Sequence, residues 1–153
     1  MSCSHSSCGE LSRRRFLKSS CALLGVALTG AASSSGCSNE PDGPPRAVAQ
    51  DKGFLIENLS LPAAGEAIPF IFPDDQPGLL FTTSSGVAGA VSAVCTHLGC
   101  TVEWMGNDKA AFNCPCHASQ FGPTGQTLGG PATESLPFFE ATSESDGVRL
   151  MQS

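Results

Sequence analysis

The chain has 153 residues and a formal net charge of −6, with 14 acidic and eight basic side chains. Half of the basic residues lie near the N-terminus, so the rest of the sequence is strongly acidic: Arg13, Arg14, Arg15 and Lys18. An acidic domain argues against nucleic acid as a partner, because binding to phosphates needs clustered Lys and Arg. The length fits one domain preceded by a short segment. The acidity favours encounter with a basic protein partner, or it only keeps a small domain soluble.

The N-terminal segment combines these basic residues with an apolar stretch. Residues 12–18 read SRRRFLK, and an apolar run follows from 21 to 32. The pattern resembles the twin-arginine (Tat) export signal. That resemblance implies export of a protein already folded around its cofactor, to the outer face of the cytoplasmic membrane or the periplasm. We therefore set residues 1–37 apart from the folded domain.

The fate of this segment after export has three interpretations. Residues 34–38, SSGCS, resemble a lipoprotein cleavage box without its usual Leu, and Cys37 would then carry the lipid. The uncharged run from 19 to 37 is barely long enough to cross a bilayer as an uncleaved anchor, which takes about 20 apolar residues. The third interpretation is a cleaved, soluble protein. The first two predict a membrane-associated domain.

The remaining sequence predicts a linker followed by an all-β domain. Residues 38–50 are rich in Pro, Gly and charge, which is typical of a flexible linker, and the domain is predicted over 51–153. Apolar runs in this domain are short, are bounded by turn residues, and keep no helical period. Strands are predicted at 54–56, 67–72, 78–83, 87–94, 101–105, 110–113, 138–142 and 147–151. The expected core aromatics are Phe54, Phe70, Phe72, Phe81, Phe112, Phe138 and Phe139.

Two short segments of the domain carry cysteine and histidine together. The sequences CTHLGC at 95–100 and CPCHAS at 114–119 each offer one Cys, one His and one further Cys. Both follow β-rich runs, which predicts loops at strand ends. Side by side, such loops would present two thiolates and two imidazoles to one site. This donor set suits zinc as well as iron–sulfur, although the His spacing and the helix of a zinc finger are absent.

The paired segments resemble those of the Rieske iron–sulfur family, and the resemblance extends over essentially the whole domain. It implies a Rieske-type antiparallel β-sandwich with two cluster-binding loops and one [2Fe–2S] cluster per subunit. In such a centre two His replace two Cys on one of the irons. Cys95 and Cys114 would hold one iron, and His97 and His117 the other.

The same resemblance assigns roles to neighbouring residues. Cys100 and Cys116 would form the disulfide of the quinol-oxidising branch, which an oxidising compartment permits. Ser119 matches a serine whose hydroxyl points at a bridging sulfur, and Pro131 lies in a segment similar to the loop that covers the cluster and excludes water. Phe121 stands where high-potential members carry a Tyr that donates to a cysteine sulfur. Since hydrogen bonds to the sulfurs raise the reduction potential of the cluster, we expect a reduction potential below that of ubiquinol-oxidising members.

One further difference from the family concerns the second loop. Ala118 stands where the family frequently has Gly. From this we expect that the backbone at this position does not require a positive φ.

The resemblance implies one-electron transfer coupled to proton transfer. His117 would be the catalytic residue, because in quinol-oxidising relatives the second-loop His hydrogen-bonds the quinol and takes its electron and proton. The leading interpretation is the iron–sulfur subunit of a quinol:cytochrome c oxidoreductase, an electron-transfer subunit with cytochrome b and a c-type cytochrome as partners. Two alternatives remain open. They are the small subunit of a periplasmic molybdenum enzyme resembling arsenite oxidase, working with its large subunit, and a standalone periplasmic electron carrier. A non-redox binding module is the remaining class.

Overall fold

The computed structural model describes residues 43–106, 108–109 and 111–152. The chain divides into the units Met1–Ser38 and Asn39–Ser153. The predicted Tat signal, the lipidation of Cys37 and the anchor all lie outside the described residues. Within the described part, no helix is long and apolar enough to cross a membrane.

Eleven strands and no helix are found in the described residues, which confirms the all-β prediction. The strands are β1 Ala47–Gln50, β2 Gly53–Glu57, β3 Ala67–Ile71, β4 Pro77–Thr82, β5 Ala88–Ser92, β6 Glu103–Trp104, β7 Phe112–Asn113, β8 Gln120–Phe121, β9 Thr127–Gly129, β10 Phe138–Ser143 and β11 Gly147–Gln152. Most of them fall on the predicted apolar runs, because turn residues bound each run.

The strands form two antiparallel sheets. Seven strands make the larger one, in the order β1-β2-β11-β10-β5-β4-β3, and four make the smaller one, in the order β6-β7-β8-β9. The two outer strands of the larger sheet meet, since Arg46 bridges Ile71 and the Ile71 N–H donates to the Pro45 carbonyl at 2.9 Å. The larger sheet therefore curls back on itself, and the smaller one is an insertion between β5 and β10.

Strands β4 and β5 contribute to two hydrophobic cores. Successive side chains of a strand point to opposite faces, so Leu80 and Ala90 join one core while Phe81 and Val91 join the other. The first core lines the curled sheet and contains Ala47, Ile56, Phe70, Phe72, Leu80, Ala90, Phe139, Val148 and Leu150. The second joins both sheets and contains Phe81, Val91, Ala93, Cys95, Val102, Ala111, Phe112, Cys114, Phe121, Ala132 and Leu136. All seven predicted core aromatics lie in these cores or pack against them.

A strand occupies part of the predicted linker. Residues of β1 pair with β2 in the register Ala47 to Ile56 through Gln50 to Gly53. Only Ala47 is buried, and the three side chains after it are exposed, so the strand leaves no hydrophobic period in the sequence. Backbone hydrogen bonding places it in the larger sheet, which therefore includes residues before 51.

One tryptophan ties the smaller sheet to the larger one. The Trp104 ring stacks on Phe81 with centroids 5.1 Å apart, and its Nε1–H donates to the Gly65 carbonyl at 2.9 Å. Nearby, the Ser84 N–H donates to the Asp108 carboxylate at 2.8 Å. These contacts fix the strands that carry the cysteine- and histidine-bearing loops.

Candidate metal centre

The two loops share one backbone design. Loop 1 is residues 95–100, between β5 and β6, and loop 2 is residues 114–119, between β7 and β8. In each, the N–H of the first Cys donates to the carbonyl five residues on, and its own carbonyl accepts from the N–H four residues on. The bonds join Cys95 with Cys100 and Cys114 with Ser119 at 2.8 Å, and Gly99 with Cys95 and Ala118 with Cys114 at 2.9 Å. Both loops are therefore the same tight turn, although their Cys-to-His spacings differ.

This turn needs a left-handed backbone conformation at the residue four positions after its first Cys. Gly99 has a φ of 76° and Ala118 a φ of 57°. The expectation that Ala118 does not need a positive φ is therefore wrong. Closing the hydrogen-bonded turn sets the φ, and alanine adopts it at a cost of about 1–2 kcal/mol because of its Cβ.

We expect Ala118→Gly to raise the free energy of unfolding by about 1 kcal/mol, since it removes this backbone strain at the cost of some unfolded-state entropy. The matched change in loop 1, Gly99→Ala, should lower it by a similar amount, because a Cβ there meets no atom within 4 Å and only the backbone is strained. Denaturant unfolding of both variants measures the two effects. If both substitutions changed the free energy of unfolding in the same direction, the result would contradict the shared turn.

The structure brings the predicted donors into one region. Cys95 and Cys114 are unpaired thiols, 2% and 1% exposed, within the same core. The rings of His97 and His117, one from each loop, lie edge to face with centroids 4.9 Å apart. His97 is partly buried, and its Nδ1 is buried without a hydrogen-bond partner among the described residues, whereas His117 is exposed.

The predicted disulfide between Cys100 and Cys116 is present and joins the two loops. The sulfur atoms of Cys100, Cys114 and Cys116 lie within 4.8 Å of one another. Because Cys100 and Cys116 are bonded to each other, Cys114 is the one member of this group that offers a thiolate. The disulfide also fixes the separation of the two loops.

A third loop, residues 130–137 between β9 and β10, is held against both of the others. The Thr96 hydroxyl donates to the Glu134 carbonyl at 2.7 Å, which binds it to loop 1. The Ala132 N–H donates to the Ser119 hydroxyl at 3.1 Å, which binds it to loop 2. Pro131 lies in this loop and is exposed. The sequence singled out Pro131 and Ser119, but not the bonds that place the loop.

The donor set fits a metal centre of the thiolate–imidazole type. A buried imidazole nitrogen without a partner is costly unless it binds something, so the unpartnered Nδ1 of His97 favours ligation. The two buried thiols of the same loops, Cys95 and Cys114, are the soft donors that iron–sulfur clusters and zinc select. The class defined by this fold and site is thus an all-β metalloprotein with Cys and His donors on two disulfide-linked loops.

Comparison with protein families identifies the kind of centre. Residues 60–140, more than half of the chain, match the family model described as the Rieske [2Fe–2S] domain. The chain therefore belongs to the Rieske family, in its disulfide-containing branch, and its domain binds a [2Fe–2S] cluster.

Several relatives are iron–sulfur subunits of cytochrome b6-f complexes. The one from Synechococcus sp. (strain JA-3-3Ab) is 48% identical over 76 residues, 49% of this chain and 44% of that protein. The one from Chlorobaculum thiosulfatiphilum is 38% identical over 78 residues, 51% of this chain and 42% of that protein. The chain thus spans less than half the length of these curated relatives. Among solved structures, the cyanobacterial plasma membrane Rieske protein PetC3 from Synechocystis PCC 6803 is 32% identical, with 55% of this chain and 84% of that chain covered and a TM-score of 0.48.

Proposed function

We propose that Cys95, His97, Cys114 and His117 hold the cluster, and that the protein passes single electrons as the iron–sulfur subunit of a quinol:cytochrome c oxidoreductase. The observation that carries this proposal is the asymmetry of the donors. Both thiols are buried, whereas the His117 imidazole is exposed. A redox group whose cysteine ligands are buried and one of whose histidine ligands is exposed suits electron exchange with a partner that docks at that histidine.

The exposed imidazole also suits proton transfer. When bound, the cluster supplies one-electron oxidation and reduction. If one ring nitrogen of His117 binds metal, the other faces the surface and can exchange a proton with a docked donor such as a quinol. His97 is partly buried, and we therefore assign this role to the more exposed His117.

The relatives and the charge support the proposed partners. The similar proteins named above are subunits of cytochrome b6-f complexes, which favours a cytochrome b and a c-type cytochrome as partners. The acidic sequence favours a basic surface on the electron acceptor. The SRRRFLK pattern supports Tat export, and the disulfide fits an oxidising compartment, the periplasm or the outer face of the cytoplasmic membrane. Lipidation of Cys37 remains one of the three predicted fates of the leader.

Purification of the tagged full-length chain from membranes tests the assembly. We expect b- and c-type haem to co-purify, and a quinone analogue to alter the EPR line shape of the reduced cluster in that preparation. A molybdenum-containing partner without a quinone effect would favour the arsenite-oxidase-like alternative. A cluster protein isolated without either partner would favour a standalone carrier.

Phe121 predicts a lower potential than that of ubiquinol-oxidising members. Its side chain is fully buried in the core that also contains Cys95 and Cys114. We expect Phe121→Tyr to raise the reduction potential by roughly 40 mV, since one added hydrogen bond of about 1 kcal/mol corresponds to that shift for a one-electron couple.

The matched control is Phe112→Tyr, on the neighbouring strand. Phe112 pairs with Phe121 across the strands, but its ring packs against Phe81 and Trp104. The Phe112→Tyr substitution adds an equally buried hydroxyl and should leave the reduction potential unchanged. An EPR-monitored redox titration of the wild type near the top of the Rieske range, about +300 mV, would contradict the expectation.

A further inference from the structure

The Ser119 hydroxyl is fully buried, and among the described residues it accepts a hydrogen bond but donates none. Its oxygen accepts a hydrogen bond from the Ala132 N–H at 3.1 Å. Among the described residues this is its only hydrogen bond, so the hydroxyl proton has no acceptor in that part of the protein. A buried donor without an acceptor is costly, and a hydroxyl rotates to suit its surroundings. The proton therefore points to an acceptor beyond these residues.

The position of the Ala132 N–H depends on Gly130. This glycine has a φ of 85°. A Cβ on it would lie 2.5 Å from the Ser119 Cα, 2.7 Å from the Ala118 oxygen and 2.8 Å from the Ser119 nitrogen. Backbone atoms cannot give way as a flexible side chain can. The third loop reaches loop 2 because residue 130 has no side chain.

We propose that the third loop sets the orientation of the Ser119 hydroxyl. The Ala132 N–H occupies one acceptor site of the oxygen, so the hydroxyl proton turns away from the third loop and is donated to a sulfur of the cluster. Gly130 and Ala132 are then positioning residues that act on the reduction potential through Ser119. This inference rests on the proposed attachment of the cluster to loops 1 and 2.

Exclusion of water is the competing role for the same loop. Water exclusion would act on the potential whether or not residue 119 carries a hydroxyl. Hydroxyl orientation requires that hydroxyl. A double-mutant cycle between Gly130 and Ser119 therefore separates the two roles.

The test compares Gly130→Ala with Gly129→Ala, each in the Ser119 and the Ser119→Ala backgrounds. A Cβ at Gly129 meets no atom within 4 Å, so this adjacent change is a matched control. The readouts are the reduction potential from EPR-monitored titration and, separately, the denaturant midpoint. We expect Gly130→Ala to lower the potential by at least half of the shift that Ser119→Ala causes. In the Ser119→Ala background that shift should disappear, and Gly129→Ala should cause none in either background.

Three outcomes would overturn the inference. The first is an equal shift from Gly130→Ala in both backgrounds, which would mean water exclusion. The second is no difference between Gly130→Ala and Gly129→Ala. The third is no shift from Ser119→Ala itself, which would remove the role of Ser119 but leave the cluster assignment standing. If Gly130→Ala does not fold, Ala132→Pro takes its place in the cycle, because it removes the N–H directly. Absence of a Rieske signal in the wild type would instead refute the proposed function.

Discussion

His117→Ala should abolish the Rieske EPR signal and lower the bound iron by more than about tenfold, because even the loss of a residue that only supports a metal ligand costs about that much affinity. The described residues include one other histidine, His97, which the proposal already places on the cluster. Since His117 is exposed, its truncation leaves no cavity in either core. EPR of the reduced protein and iron analysis measure the loss.

The control for this change is His5→Ala, which removes the remaining histidine of the chain and lies outside the domain. Cluster content should stay at the wild-type level there. Leu98→Ala serves as a second control, because Leu98 is 69% exposed within loop 1 and carries no donor atom. A wild-type Rieske spectrum from His117→Ala would refute the proposed ligand set.

Removal of the disulfide is the second change with a large expected effect. The double variant Cys100→Ala, Cys116→Ala should lower the free energy of unfolding by about 3 kcal/mol, since the bond closes a loop between residues 16 positions apart. For a domain of this size the melting temperature should fall by roughly 12–20 °C. Loss of the bond also frees the two donor loops from each other, so the cluster should be lost at lower denaturant concentration.

The single variants provide the control for the disulfide. Cys100→Ala and Cys116→Ala should each cost about as much as the double variant, because the two sulfurs act as one unit. Denaturant unfolding, followed by far-ultraviolet circular dichroism and by cluster absorbance, measures both effects. Additive costs from the two single changes, or an unchanged midpoint in the double variant, would mean that the bond does not constrain the loops.

The strands could be predicted where buried side chains leave a run of apolar residues in the sequence. Phe81 and Val91 belong to runs that are buried on both faces, and turn residues mark the ends of those runs. β1 could not be found in this way, because Ala47 is its only buried side chain and its pairing with β2 uses backbone atoms. β8 and β9 are two and three residues long, too short to show a period.

The candidate site also combines features that could be predicted from the sequence with features that could not. That the two Cys- and His-bearing loops lie side by side could be predicted from their residues, and the disulfide joins them as the family resemblance implies. The proposed choice of Cys95 and Cys114 as donors rests on that resemblance. The left-handed backbone of Ala118 could not be predicted, since the hydrogen bonds of the turn impose it rather than the side chain. The Thr96–Glu134 contact joins residues 38 positions apart, and only the folded chain brings them together.

In the proposed centre, two histidines and two cysteines of this domain hold one [2Fe–2S] cluster. Pulsed EPR of the reduced protein, produced with ¹⁵N-labelled histidine, tests this proposal most directly. We predict a Rieske-type spectrum of the wild type with couplings to two distinct histidine nitrogens, and loss of the whole signal, with the cluster, in His97→Ala and in His117→Ala. A spectrum without histidine couplings, or a protein that binds zinc in place of iron, would contradict the proposal.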